Sequence, residues 1–213
     1  MLQTLGFFTN VFSKTGEGID ISRAIIFLST FLLLVTQAKA DAVDIGGFTL
    51  GVFSSIAIHE LGHATAVTAA GGHVSKIELY QNGLLSGATY YDRPAQTKGE
   101  NQLIAVSGLL TTSLATEVII QNQSLHDKSF AQGMLAMNLL SNASYVYNFY
   151  TKRFGVDGWR GNDIDVYESY GGNANAFNLL LVAHTIYSIY RIDHETDIVP
   201  FAKRNLFGVS FKF

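Results

Sequence analysis

The sequence predicts an all-α membrane helical bundle of about four to six apolar helices with one small β-hairpin, an expectation that rests on composition, run length and one turn. Of the 213 residues, 48% are hydrophobic and 15% charged, against about 25% charged in average soluble domains. The mean hydropathy is +0.22. Apolar runs of helical length recur along the chain, and one Asn-Gly pair, Asn82-Gly83, separates two runs rich in β-branched and aromatic residues, which is a hairpin signal. The length suits a single domain over residues 1–213, with room for that many spans of about 20 residues each.

The first apolar run, residues 24–36 (AIIFLSTFLLLVT), follows Arg23 and ends in Ala38-Lys39-Ala40 before Asp41. Such a run with an A-x-A end fits a signal peptide, but roughly twenty mixed residues precede it, more than a basic leader normally carries. Residues 24–40 are therefore read as a retained, short first span, with a signal peptide cleaved after Ala40 as the alternative. The cluster Leu5-Gly6-Phe7-Phe8 with Val11-Phe12 is expected at the membrane interface or packed on the bundle.

Residues 46–70 form a second segment that is apolar or small apart from His59, Glu60 and His63, and Gly71-Gly72 ends it. Beyond it, Val74, Lys76, Glu78 and Tyr80 alternate with Ser75, Ile77 and Leu79, and residues 84–91 supply the second arm of the hairpin. A third segment, 103–120, contains Ser107-Gly108 and many Ala, Ser and Thr, a composition that lets membrane helices approach closely; it also holds Glu117. A fourth, 130–150, carries Asn138, Asn142 and Asn148, which need partners inside a bundle. The Gly-rich acidic loop 155–172 leads to a fifth segment, 174–192, with His184 inside it. The chain closes on LFGVSFKF, which alternates like a strand. Long unbroken apolar runs exclude an outer-membrane barrel, which needs many alternating segments of about ten residues, so this end is expected to be a short pairing strand or an interfacial tail.

Charge and cysteine content narrow the chemistry. A net charge of −3, from 14 basic and 17 acidic residues without a basic run, gives no footprint for nucleic acid. Cysteine is absent, which removes disulfides, thiolate metal sites and cysteine nucleophiles. A metal here must use His, Asp or Glu.

His59-Glu60-Leu61-Gly62-His63 is an H-E-x-x-H motif on an expected helix. Residues i and i+4 lie one turn apart on one face, so both imidazoles reach one Zn²⁺, and Glu60 stands beside them as general base for a metal-activated water. Two histidines and a glutamate in an otherwise apolar helix are costly to bury uncompensated, and a divalent cation supplies the compensation. The longer form H-E-x-x-H-x-x-G-x-x-H is absent, because Ala66 and Ala69 stand where its glycine and third histidine belong.

The helix FSSIAIHELGHATAVTAAGGHV, followed by a hairpin, a small-residue helix (AVSGLL, 105–110), an Asn-bearing helix and an Asp-Gly-rich loop, resembles the site-2-protease family of intramembrane zinc metalloproteases, in particular its small bacterial branch. The likeness spans about residues 46–172. It implies peptide-bond hydrolysis in or near the bilayer, a Zn²⁺ cofactor, a membrane-embedded or membrane-proximal polypeptide substrate, and an integral place in a bacterial inner membrane. The family also completes its zinc site with a downstream aspartate, usually in an N-x-x-P-x-x-x-x-D-G context. Here Asn148 is followed by no proline, and Asp157-Gly158 falls one position late. Asp163, in Gly161-Asn162-Asp163 at the start of an expected short helix, is the favoured third ligand, with Asp157 second. Glu117 is read as a bundle contact rather than a ligand, and His184 as a core histidine. Two other functions stay open: a non-proteolytic membrane protein with a structural zinc site, and a periplasmic metallohydrolase released by cleavage at Ala40.

Overall fold

The computed structural model describes residues 3–6, 42–79, 87–92, 97–153, 162–195, 198–199 and 210–211. In chain order its elements are β1 (Gln3–Gly6), α1 (Ala42–Ala69), β2 (His73–Glu78), β3 (Ala88–Asp92), α2 (Lys98–Gln121), α3 (Ser129–Arg153), α4 (Asp163–Ser169), α5 (Ala174–Glu195), β4 (Ile198–Val199) and β5 (Ser210–Phe211). Residues 24–40, the Asn82-Gly83 turn and Asp157 lie outside the described residues. The chain is mostly helical, as expected, and four of its helices coincide with the apolar segments read from residue 46 onward.

The 28-residue α1 is the axis of the assembly and packs chiefly on α3 and α2. It ends where the glycine pair takes over: Gly71 adopts φ +76°, and the Gly71 and Gly72 amides donate to the carbonyls of Thr68 and Val67 at 3.0 and 2.9 Å, closing the last turn in the left-handed way that glycine permits. Helix α2 begins five residues before its apolar run because Thr97 caps it. The Thr97 side chain accepts from the Glu100 amide at 3.3 Å while the Glu100 carboxylate accepts from the Thr97 amide at 2.7 Å, a reciprocal capping box. Among the described residues, α2 is the helix long and apolar enough to cross a membrane.

Small residues set the helix spacing. A Cβ on Gly62 of α1 would stand 2.6 Å from the Ser107 carbonyl oxygen of α2, so the glycine inside the motif lets α1 and α2 come together. On the α3 side, Val52 and Ile56 pack with Met137, Tyr145 and Phe149. Of the three asparagines expected to need partners, Asn138 has them: it donates to the Thr112 carbonyl at 3.1 Å and the Thr116 hydroxyl at 2.9 Å, and accepts from the Ser55 hydroxyl. Such a buried group left unpaired costs about 1–3 kcal/mol, so this network fixes the register of three helices. Glu117 is a bundle contact, as read: its carboxylate pairs with Arg191 of α5, which also reaches Glu195 at 2.9 Å, and His184 Nε2 lies 3.8 Å from Glu117 Oε1.

The hairpin forms between β2 and β3, paired antiparallel from His73↔Asp92 to Glu78↔Ala88 with an irregularity between Val74 and Lys76. It is wider than expected, because β1 pairs antiparallel along the other edge of β3 to give the order β1-β3-β2. Near the end of the chain, Ser210 and Phe211 form a short pairing strand, β5 against β4. Strand β3, in the middle of the sheet, packs on α1 and so carries a strand end to the motif.

Candidate metal centre

One turn of α1 places the two motif histidines on its inner face. His59 and His63 are 4% and 0% exposed, and their Nε2 atoms stand 3.1 Å apart. The His63 orientation is fixed from α2. Its Nδ1 lies 2.7 Å from the Ile104 carbonyl oxygen, which can only accept, so Nδ1 carries a proton and Nε2 is the nitrogen that faces Asp163 and would meet a metal. Space for that convergence comes from Gly108, where a Cβ would sit 2.5 Å from His63 Nε2 and 2.6 Å from His59 Nε2. No other residue type leaves the ground in front of both nitrogens open.

Asp163 closes the third side. It is the first residue of α4, whose start is fixed by Asn162, its side chain accepting from the Asp165 amide at 3.0 Å. The Asp163 carboxylate is 1% exposed, with Oδ2 at 3.0 Å from His59 Nε2 and 3.4 Å from His63 Nε2. One ligand atom from each of the three residues lies within 4.8 Å of the others, the only such group of three among the described residues. Burial acts to raise the Asp163 carboxyl, but the two imidazoles outweigh it and hold the group below the usual carboxylate range. The donor set is chemically apt for zinc: two imidazole nitrogens and one carboxylate oxygen, all buried.

Glu60 points to the sheet side of the same turn. Its carboxylate, 1% exposed, accepts from the Thr89 hydroxyl of β3 at 2.8 Å through Oε2, and that hydroxyl also stands 3.0 Å from the Glu60 carbonyl oxygen. Gly87, just before β3, lies so close that a Cβ there would come within 2.6 Å of Glu60 Cγ. The strand end therefore forms the wall behind the carboxylate and fixes its direction.

Two imidazoles and a carboxylate gathered on one buried point, with a second carboxylate held apart, is an arrangement for metal-assisted hydrolysis. A family model described as Peptidase M50B-like matches residues 32–156. The chain belongs to this family. Membership bears out the resemblance to the site-2 proteases and makes the chain a peptidase by family; no curated protein and no solved structure matches it. Within this M50B-like peptidase the matched stretch contains the whole H-E-x-x-H turn and ends before Asp163. The aspartate is thus placed by the geometry independently of the match. Its rival Asp157 is outside the described residues, and neither Glu117 nor His184 belongs to the group of three.

Several residues of the centre escaped the sequence reading. By composition Thr89 and Gly87 are ordinary hairpin residues, and Tyr145, whose hydroxyl donates to Asp163 Oδ2 at 2.8 Å, is one more aromatic in an apolar helix. The Ile104 carbonyl is invisible to any motif.

Proposed function

We propose that this M50B-like peptidase is an intramembrane zinc metalloprotease, with His59, His63 and Asp163 as metal ligands and Glu60 as catalytic base. The observation that carries the reading is the convergence of three buried ligand atoms within 4.8 Å beside a carboxylate that is directed by Thr89 and belongs to none of them. When bound, Zn²⁺ supplies Lewis acidity and lowers the pKa of a coordinated water toward about 7. The chain's own part follows from its geometry. Thr89 directs the Glu60 carboxylate through Oε2, and that carboxylate would take the proton of the attacking water and pass it to the leaving amine. His59, His63 and Asp163 would hold the metal, and Glu60, on the same helix turn as the two histidines, would serve the water that the metal activates.

A bilayer setting is supported by the outer faces of the helices. Leu110, Leu114 and Val118 make an exposed stripe on α2, and Leu179, Ile186 and Tyr187 are exposed on α5. Leu114 is 67% exposed on the helix with the length and hydropathy of a span, a contact that lipid satisfies and water does not. Burial of the centre among those helices fits a substrate that arrives as a membrane-embedded or membrane-proximal polypeptide, and a bacterial inner membrane is the setting that the resemblance implies.

Membranes from cells producing the chain test this. They are incubated with a zinc chelator or its non-chelating isomer, and new peptide termini are catalogued by mass spectrometry. Termini within or beside apolar segments should accumulate only with the non-chelating isomer. An identical catalogue under both treatments contradicts the proposal.

A further inference from the structure

The proposed centre uses His59, His63, Asp163 and Glu60 and leaves the buried Tyr145 hydroxyl at its edge without a role. Tyr145 of α3 is 0% exposed. Its hydroxyl donates to Asp163 Oδ2 at 2.8 Å, the same oxygen that faces both imidazoles, and its ring stacks on His59 at 6.3 Å with a 23° interplanar angle. We infer that Tyr145 is a positioning residue that sets the metal affinity of the centre by holding the Asp163 carboxylate in place; the inference rests on the metal-site reading above.

The argument turns on which hydrogen bonds survive metal binding. As the residues stand, Asp163 Oδ2 is within reach of His59 Nε2, His63 Nε2 and Tyr145 Oη. The imidazole nitrogens contribute to it only while they carry protons, and a metal ligates the deprotonated nitrogen. Metal binding therefore removes both imidazole donors from the carboxylate. The tyrosine hydroxyl is a donor that needs no such change. A carboxylate has about four lone-pair sites, so Oδ2 can keep the Tyr145 bond and still face a cation.

Position explains why a donor is needed here. Asp163 opens a helix of seven residues, whereas Tyr145 stands in the middle of the 25-residue α3. The bond between them ties the short helix to the long one across the centre. Ile164 and Phe149 pack in the same apolar cluster as Tyr145, which makes its ring position part of the core. Tyr145→Phe keeps that ring and deletes only the donor. Outer-shell partners of metal ligands characteristically change affinity by about 10–100-fold when removed.

The test titrates zinc against a chelator of known affinity, using the full chain purified in detergent micelles, as wild type, Tyr145→Phe and the packing control Phe149→Leu. Melting of each metal-free protein is recorded in parallel. Tyr145→Phe should bind zinc about 10–100-fold more weakly than wild type, while Phe149→Leu should melt lower but keep wild-type affinity. Wild-type affinity in Tyr145→Phe overturns the inference and leaves the metal centre standing. Equal weakening in both variants assigns the effect to packing and also overturns it. A wild-type chain that takes up no stoichiometric zinc overturns the centre itself, and the role of Tyr145 with it.

Discussion

Glu60→Gln should keep stoichiometric zinc and lose peptide hydrolysis by about 10²–10⁴-fold in kcat, the usual contribution of a positioned proton-transfer group. The amide has nearly the shape of the carboxylate, so the strand wall at Gly87 and the Thr89 contact still accommodate it. What it loses is the carboxylate's capacity to accept a proton. Because that capacity matters in the transition state and not in substrate binding, the loss should fall on kcat with KM little changed. Steady-state cleavage of a substrate identified from the membrane catalogue, with zinc content measured on the same preparations, checks both halves. A variant that retains wild-type turnover refutes the base assignment. One that loses its zinc shows instead that Glu60 belongs to the metal set.

His63→Ala should release the metal. It removes a proposed ligand nitrogen, the bond that anchors that nitrogen's ring to the Ile104 carbonyl, and a neighbour of both His59 Nε2 and Asp163 Oδ2. The loss in zinc affinity should exceed the about 10–100-fold associated with outer-shell changes. A bound ligand stabilises the folded state according to its affinity, so zinc should raise the melting temperature of the wild type and leave that of His63→Ala unmoved. Elemental analysis after dialysis gives the direct reading, with melting in chelator separating metal loss from misfolding. Stoichiometric zinc in this variant would remove His63 from the centre.

Both predictions were legible in the sequence, because the motif spacing and the helical period leave one arrangement for His59 and His63. The helices were legible for a similar reason: runs such as 103–120 and 174–192 match α2 and α5 to within a few residues. Where a boundary moved, the cause was local. Thr97 and Glu100 start α2 five residues ahead of its apolar run through a capping box that the T-x-x-E spacing does encode. Asp163 was reached through resemblance, since a single chain gives no distance between an aspartate in a loop and a histidine 100 residues earlier.

Other parts had no signal. A four-residue strand such as β1 (QTLG) has no periodicity to detect, so the third strand of the sheet appears only in the structure. Thr89 is a β-branched residue in a strand and Tyr145 an aromatic in an apolar helix, both ordinary in composition. Their importance comes from which carboxylate each hydroxyl meets, and that is decided by packing between elements far apart in the chain.

The central claim is that three side chains from two separate helices share one cation. X-ray absorption at the zinc edge on the loaded full-length chain tests it most directly. The account predicts one zinc per chain with two imidazole nitrogens at about 2.0–2.1 Å, carboxylate oxygen at about 2.0–2.2 Å and no sulfur, the oxygen contribution changing in Asp163→Ala. A first shell with fewer than two imidazoles, or one unaltered by loss of Asp163, would contradict it.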